Sequence, residues 1–474
     1  MKRLGFLPVA LLALLPYLGA IHDPLLYDDR TLLDNRWLVT EAGPASVFTH
    51  DYWYGTKHEH SDLYRPLTVL SLAWNIRATP SKEGIRTVNV LLHVLAALTL
   101  LGLLRTICRN IGGSGPWPFF GAAIFAVHPL ASEAVLWAAG RAEILAALFG
   151  MLALGLLIRE TPRAKTRFPL RVVASSLLFL LALCSKESAV AWILVAAAYV
   201  AVAQAWTTLS RRNLATAAGG WMVALAVVLA LRGAAVGWTT HPPPFVDNPL
   251  VSVDAGTRAA NAVLLFARYV AKMVWPQTLS IEYGFDQIQV QPVVPWAGIA
   301  ALIIAAAFGA AVVQLLRRKH RSAAFFLLWI PAAFAVTGNL IFPIGTIFAE
   351  RLAYLPLMGF CALAGIALAA IPKRIWSFVA LAVVVGALCA RTYVRSADYR
   401  GLATLSEATV AASPNSVKAL YNAARTRLRL GHPADAVPPL EHALEIWPQY
   451  ENARRLLEEA KGGGGRSPGG EGEP

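Results

Sequence analysis

Apolar runs of about 20 residues recur along the first 390 positions, and each is long enough to cross the hydrocarbon core of a bilayer. Only 15% of the residues are charged, against about 25% in a typical soluble domain. A soluble enzyme built from doubly wound sheets is therefore excluded, and so is disorder over most of the length. The chain reads as an all-α polytopic membrane protein, a bundle of helices crossing the bilayer. Its formal charge of +14 is what retention of basic loops in the cytoplasm produces, so no nucleic-acid partner is expected. The four cysteines (Cys108, Cys184, Cys361 and Cys389) lie in or beside apolar runs without CxxC spacing, as packing residues do.

After a first apolar run, Gly5 to Ile21, spans are expected near 88–107, 118–127, 142–157, 170–184, 189–206, 214–231, 296–316, 323–337, 352–371 and 375–390. Short segments on one side collect Lys2, Arg3, Arg105, Arg109, Arg159, Arg163, Lys165, Arg167, Arg171, Arg211, Arg212, Arg317, Arg318, Lys319, Arg321, Lys373 and Arg374. Such segments stay in the cytoplasm. The count closes with eleven spans, the N-terminus inside and the C-terminus outside, if 259–275 lies as a re-entrant or surface helix within an outer loop, 235–295. Two further hydrophilic pieces then face outward: the first outer loop, 22–86, and everything beyond about 391.

The outward tail carries an internal period. With Val417 as position 1, Gly431, Ala436, Leu440, Ala443 and Pro448 fall where a 34-residue tetratricopeptide (TPR) unit places small residues and its terminating proline. Residues 391–461 are accordingly read as a TPR-like helical domain that leans on the membrane domain, 1–390. Pro438 and Pro439 are expected to kink or shorten the second helix. Residues 462–474 are Gly-rich and read as a disordered tail.

Charges at the membrane edge are costly and so point to function. Most gather on the outer side: Asp28 and Asp29 just after the first span, Tyr64-Arg65, His128 and Glu133, Arg141 and Glu143, Lys186-Glu187, and Glu350-Arg351 with Tyr354. Adjacent acids at such a mouth serve as a general base, a divalent-metal site or a solvated loop start. The accompanying cations favour chemistry on a lipid phosphate: Arg65, Arg141, Lys186 and Arg351 neutralise it, while a carboxylate removes the proton of an attacking hydroxyl. Glu133 is the second candidate acid; Tyr64, His128, Glu143, Glu187, Glu350 and Tyr354 are supporting residues. His93, inside a span, reads as a helix–helix hydrogen-bonding residue.

The ordered set Tyr27-Asp28-Asp29-Arg30 with Asn35, Phe48 to Gly55, Tyr64 to Thr68, Val88-Asn89 to His93, Phe125 to Pro129, Glu133, Gly140 to Glu143, Lys186-Glu187 and Glu350 to Phe360 resembles the transmembrane and TPR-repeat-containing O-mannosyltransferases. The resemblance covers nearly the whole chain. It implies a GT-C fold with an uncleaved first helix, and a polyprenyl-phosphate sugar as donor, with mannose favoured. It also implies transfer to a protein Ser/Thr or glycan hydroxyl at the outer face, with inversion, and places the essential acid at Asp28 or Asp29. The short tail and Gly-rich terminus are those expected of a bacterial relative in the inner membrane. Two other functions compete: a transporter or flippase for lipid-linked sugars, which wants charges at mid-span, and a non-catalytic scaffold that recruits partners through its TPR tail.

Overall fold

The computed structural model describes residues 5–56, 62–79, 82–112, 115–159, 168–204, 211–239, 241–292 and 296–462, with the side chains of Asp28 and Lys82 outside the description. The expectations for Lys2, Arg3, Arg163, Lys165, Arg167 and residues 463–474 fall outside the described residues. The described chain is helical, with no strand among its residues. In order, α1 is Phe6–Leu14, α2 Asp28–Asp34, α3 Arg36–Thr40, α4 Pro66–Ala78, α5 Lys82–Ile107, α6 Trp117–Ala126 and α7 Ser132–Leu136. Then come α8 Arg141–Ile158, α9 Phe168–Ser185, α10 Ala191–Ala203, α11 Arg211–Val236, α12 Ala255–Val274, α13 Gly298–Arg317 and α14 Arg321–Phe334. The last six are α15 Tyr354–Ala369, α16 Arg374–Asp398, α17 Leu402–Ala412, α18 Val417–Arg429, α19 Pro433–Ile446 and α20 Glu451–Lys461.

Among the described residues, 7 helices are long and apolar enough to cross a membrane, and 8 if a pair bent by 53°, α6 with Pro129–Leu136, makes one span. Shorter apolar helices stand at Phe6–Ala20, Glu187–Ala203 and Arg321–Phe334, where three other spans are expected. The protein is an integral membrane protein. Helix α12, which carries Arg258, Arg268 and Lys272, is not among the spanning helices.

Burial sorts the spans by their surroundings. Helix α8 is 72% buried within the protein, whereas α13 is only 11% buried and presents Ile299, Leu302, Ile303 and Val313 outward. A helix that is apolar all round belongs in a core or against lipid tails, and these two helices occupy those two situations. Between lipid-solvated helices there is little hydrophobic driving force, so close backbone approach takes over. At the α6–α15 crossing a Cβ on Gly121 would lie 2.9 Å from Ala362 Cα, and one on Gly365 would lie 2.6 Å from the Gly121 nitrogen. Only glycine fits at both positions.

Contacts divide the chain into two compact units that interleave along the sequence. The first comprises residues 1–240, 303–337 and 351–396. Within it the first outer loop has its own small core, in which Leu25, Leu32, Leu38, Val47 and Tyr52 pack with Val69, Leu72 and Ile76 of α4. The second unit comprises 241–302, 338–350 and 397–474. There Asp254 caps α12 by accepting from Gly256 and Thr257 N–H. Those bonds and the Thr257 hydroxyl hold the exposed Asp254 carboxyl below its usual pKa. One stripe of α12 is buried, and its Tyr269 stacks on Phe348 at 3.8 Å.

The tail helices α18, α19 and α20 share a core of Val417, Leu420, Ala424, Ala436, Leu440, Ala443, Tyr450 and Ala453, and Val246 and Phe285 pack against it. Of the periodic positions, Ala436, Leu440 and Ala443 are fully buried, and Gly431 takes the left-handed backbone (φ +81°) that ends α18. The support the tail is expected to need comes from the 241–292 segment of its own unit. Val417 N–H donates to the Phe285 carbonyl, Asp286 N–H to that of Asn415, and Lys418 pairs with Asp247 and, at 3.7 Å, Glu282. Pro438 and Pro439 do not shorten the second helix: α19 runs through both. Pro439 leaves the Asp435 carbonyl without its helical N–H, and the Arg427 guanidinium donates to that oxygen at 2.8 Å.

Candidate active site

Among the described residues of the first unit, three carboxylate–cation pairs bring expected site residues together from segments far apart in sequence, and another joins Arg86 to Asp23 at 3.8 Å. Arg65 stands immediately before α4, where Pro66 occupies the first helical turn, a position that has no N–H to satisfy. Its Nε donates to both oxygens of Glu187, at 3.3 and 3.0 Å, and the Tyr64 N–H donates to the same carboxylate at 3.0 Å. The guanidinium also lies 5.3 Å from the Tyr52 ring centre. Lys186, at the end of α9, pairs with Glu143 in the first turn of α8, and both side chains are 8% exposed. Glu133, in α7 and fully buried, accepts from the backbone N–H of Arg351 at 2.8 Å and from its guanidinium. Arg351 keeps 35% of its side chain exposed, the largest share among the three cations.

These pairs are electrostatically one cluster. Burial lowers the pKa of Lys186; Glu143 opposes this, and the positive charges of Arg65 and Arg351 add to the lowering. Lys186 thus sits within Coulombic range of both arginines. The three pairs together carry no net formal charge, and Arg351 is the most exposed of their cations. The scaffolding is backbone-directed: the Thr68 hydroxyl donates to the Ser185 carbonyl at 2.8 Å, and the Tyr64 hydroxyl to that of Phe48 at 3.0 Å. Burial pushes the Tyr64 phenol up to about 12, so it serves as a neutral donor at physiological pH.

Asp29 stands apart from those pairs. It is 2% exposed, and both its oxygens face the Ala138 N–H at 2.9 Å, with Ala139 N–H at 3.4 Å from one of them. The first outer loop is thereby bound to the turn between α7 and α8. Among the described residues no three His, Cys, Asp or Glu side chains cluster as metal ligands. The side chain of Asp28 lies outside the described residues.

Other expected site residues are placed elsewhere. Arg141 is fully buried, and its guanidinium donates to Asn89 Oδ1 (2.7 Å), Asn75 Oδ1 (2.6 Å) and the carbonyls of Ser71 and Ile85. That is the geometry of an internal clasp. Glu350 belongs to the second unit, where it is buried and accepts from Ser280 N–H at 2.7 Å and the Tyr283 hydroxyl at 2.5 Å. His128 caps the Pro129–Ala131 turn, its Nδ1 accepting from Leu130 N–H. His93 Nε2 faces the Ala126 carbonyl, which can only accept, so Nδ1 is the acceptor for the Tyr354 hydroxyl at 2.9 Å. The residues that sequence reasoning passed over are Asn75, Arg86 and Asn89. The signal was present, since buried polar groups in apolar helices seldom lack a specific partner.

Similarity to known proteins bears on what this cluster does. No family model matches the chain. It is 25% identical to a protein O-mannosyl-transferase of Caenorhabditis elegans across 93% of its own length, and 25% identical to Drosophila melanogaster Tmtc3 across 94%. Human TMTC4 is 26% identical across 91% of the chain. These relatives are protein O-mannosyl-transferases. The resemblance read from the ordered motifs is borne out by them. The chain spans 62%, 54% and 65% of the lengths of these O-mannosyl-transferases, in that order.

Proposed function

We propose that the protein is a glycosyltransferase that moves mannose from a polyprenyl-phosphate donor to a Ser or Thr hydroxyl of a protein, at the outer face of the membrane. The observation that carries this reading is the cluster of Arg65, Lys186 and Arg351, each beside a carboxylate and coupled through Lys186. The named activity of the relatives supports the choice of sugar transfer. A lipid-linked donor carries a phosphodiester with one negative charge. When the bond from the anomeric carbon to the phosphate oxygen breaks, its electron pair stays on that oxygen, and the leaving phosphomonoester gains a second charge. Cations in place before the reaction stabilise that developing charge.

In this reading the acceptor hydroxyl attacks the anomeric carbon from the face opposite the phosphate, so configuration inverts. A carboxylate takes the hydroxyl proton as the bond forms. Asp29 or its neighbour Asp28 fills that role, because this loop start follows the first span at the depth of a lipid headgroup. Ala138 and Ala139 N–H keep the Asp29 carboxylate in one orientation. Glu133 orients Arg351, and Arg141 holds the turn. The helical tail, 391–461, acts as a TPR-like surface for the acceptor protein. The test is transfer of radiolabel from polyprenyl-phosphate mannose, glucose and arabinose to a Ser/Thr peptide by purified protein in nanodiscs. Mannose transfer with inverted configuration is expected; no transfer from any of the three donors rejects the reading.

A further inference from the structure

One face of α5 carries Arg86, Asn89 and His93, at spacings that place them on a single stripe. All three are buried, and each bonds to a different segment of the chain. Arg86 donates to the carbonyls of Ala20 and Pro24, both at 2.7 Å, just ahead of Asp28 and Asp29. His93 bonds to Tyr354, three residues after Arg351. Asn89 lies between them and has two jobs. Its Nδ2 donates to the Trp137 carbonyl at 2.8 Å, and its Oδ1 accepts from Arg141 Nε at 2.7 Å. One amide thus grips both ends of the 137–141 turn. The two residues after Trp137 supply the N–H groups that hold Asp29.

We infer that Asn89 is a positioning residue for Asp29, acting through the 137–141 turn without touching substrate. This rests on the reading of Asp29 as a base. Asparagine suits the task because a carboxamide offers a donor and an acceptor at a fixed separation. The turn has little freedom of its own: a Cβ on Gly140 would lie 2.7 Å from Ala134 Cα, so the backbone packs directly on α7. Removing the Asn89 donor leaves the Trp137 carbonyl to the Gly140 N–H within the turn (3.1 Å), without its anchor on α5, and lets Ala138 N–H drift from the carboxylate. A misplacement of about 1 Å costs on the order of 100-fold in rate.

The test uses full-length protein in nanodiscs and two variants. Asn89→Ala removes both bonds; Asn89→Asp keeps the acceptor for Arg141 and loses the donor to Trp137. Two readouts are taken: kcat and KM with polyprenyl-phosphate mannose, and hydrogen exchange of the Ala138 and Ala139 amides by mass spectrometry. In each variant that assembles, the inference expects kcat to fall 10- to 100-fold, donor KM to stay within about twofold, and amide exchange at the turn to accelerate at least tenfold. Unchanged exchange in either variant overturns the inference whatever the activity. So does a raised KM with kcat intact, which would make Asn89 part of donor binding. If wild-type protein transfers nothing while exchange still accelerates, the transferase reading fails and the clamp on Asp29 stands. Should Asn89→Ala not assemble, Asn89→Asp carries the same two readouts alone.

Discussion

The Lys186–Glu143 pair offers the sharpest separation of stability from binding. Both side chains are 8% exposed, so neither charge has much access to water once its partner is gone. Removing one member of a buried pair costs about 3–5 kcal/mol, most of it the penalty of an uncompensated charge. Replacing both with apolar groups of similar volume is often neutral. Glu143→Leu should therefore destabilise the protein by roughly 3–5 kcal/mol and Lys186→Met by a similar amount. The double variant Glu143→Leu/Lys186→Met should return to within about 1.5 kcal/mol of wild type. Thermal retention of the monodisperse peak in detergent measures the order of the four proteins, and a donor-binding assay with polyprenyl-phosphate mannose runs in parallel. The double variant should be stable and yet bind donor at least tenfold more weakly, because one of the three cations proposed to bind the phosphate is missing. Wild-type affinity in the stable double variant would refute the assignment of Lys186 to the phosphate. Additive destabilisation of the two singles would refute the pair itself.

Other outcomes follow from the same geometry. Asp29→Asn keeps the shape but turns an amide NH₂ toward the Ala138 donor. Turnover should drop by about 100-fold or more, with donor binding retained; near-normal turnover of both Asp28→Asn and Asp29→Asn, measured separately, rejects the carboxylate mechanism. Arg351→Ala should weaken donor binding without loss of expression, since its side chain is one-third exposed; loss of assembled protein would instead make Arg351 the structural partner of Glu133. Because burial lowers the Lys186 pKa, donor affinity should fall as pH rises through a window below the ordinary lysine value of about 10.4. Over that window the unfolded chain holds more protons than the folded one, so the Lys186 contribution to stability rises with pH while binding falls. Lys186→Arg should abolish that alkaline limb, and an unchanged limb in this variant would assign it to another group. Cysteines introduced at Ser46 and Asn415 should react with impermeant thiol reagents in sealed cells; protection of both overturns the outward orientation.

What the sequence determined by itself is what short-range physics determines. Twenty consecutive apolar residues demand a helix in lipid wherever they occur, so the membrane bundle was legible from the runs alone. The acidic and basic residues worth attention were legible too, because charge beside a bilayer is costly. Tertiary structure decided the partners. Asp29 meets Ala138 across 109 residues, Arg65 meets Glu187 across 122, and Glu133 meets Arg351 across 218. No local pattern encodes such pairings, and four arginines and lysines of equal formal charge read alike along the chain. Folding separated them: Arg141 became an internal clasp while Arg65, Lys186 and Arg351 formed a coupled cluster. Pro438 and Pro439 tell the same story at the level of one helix. Local rules foresaw a break, but a guanidinium one helix away donates to the carbonyl that Pro439 leaves open. A broken backbone bond costs little when a neighbouring element supplies the donor, and only the folded chain says whether one is there.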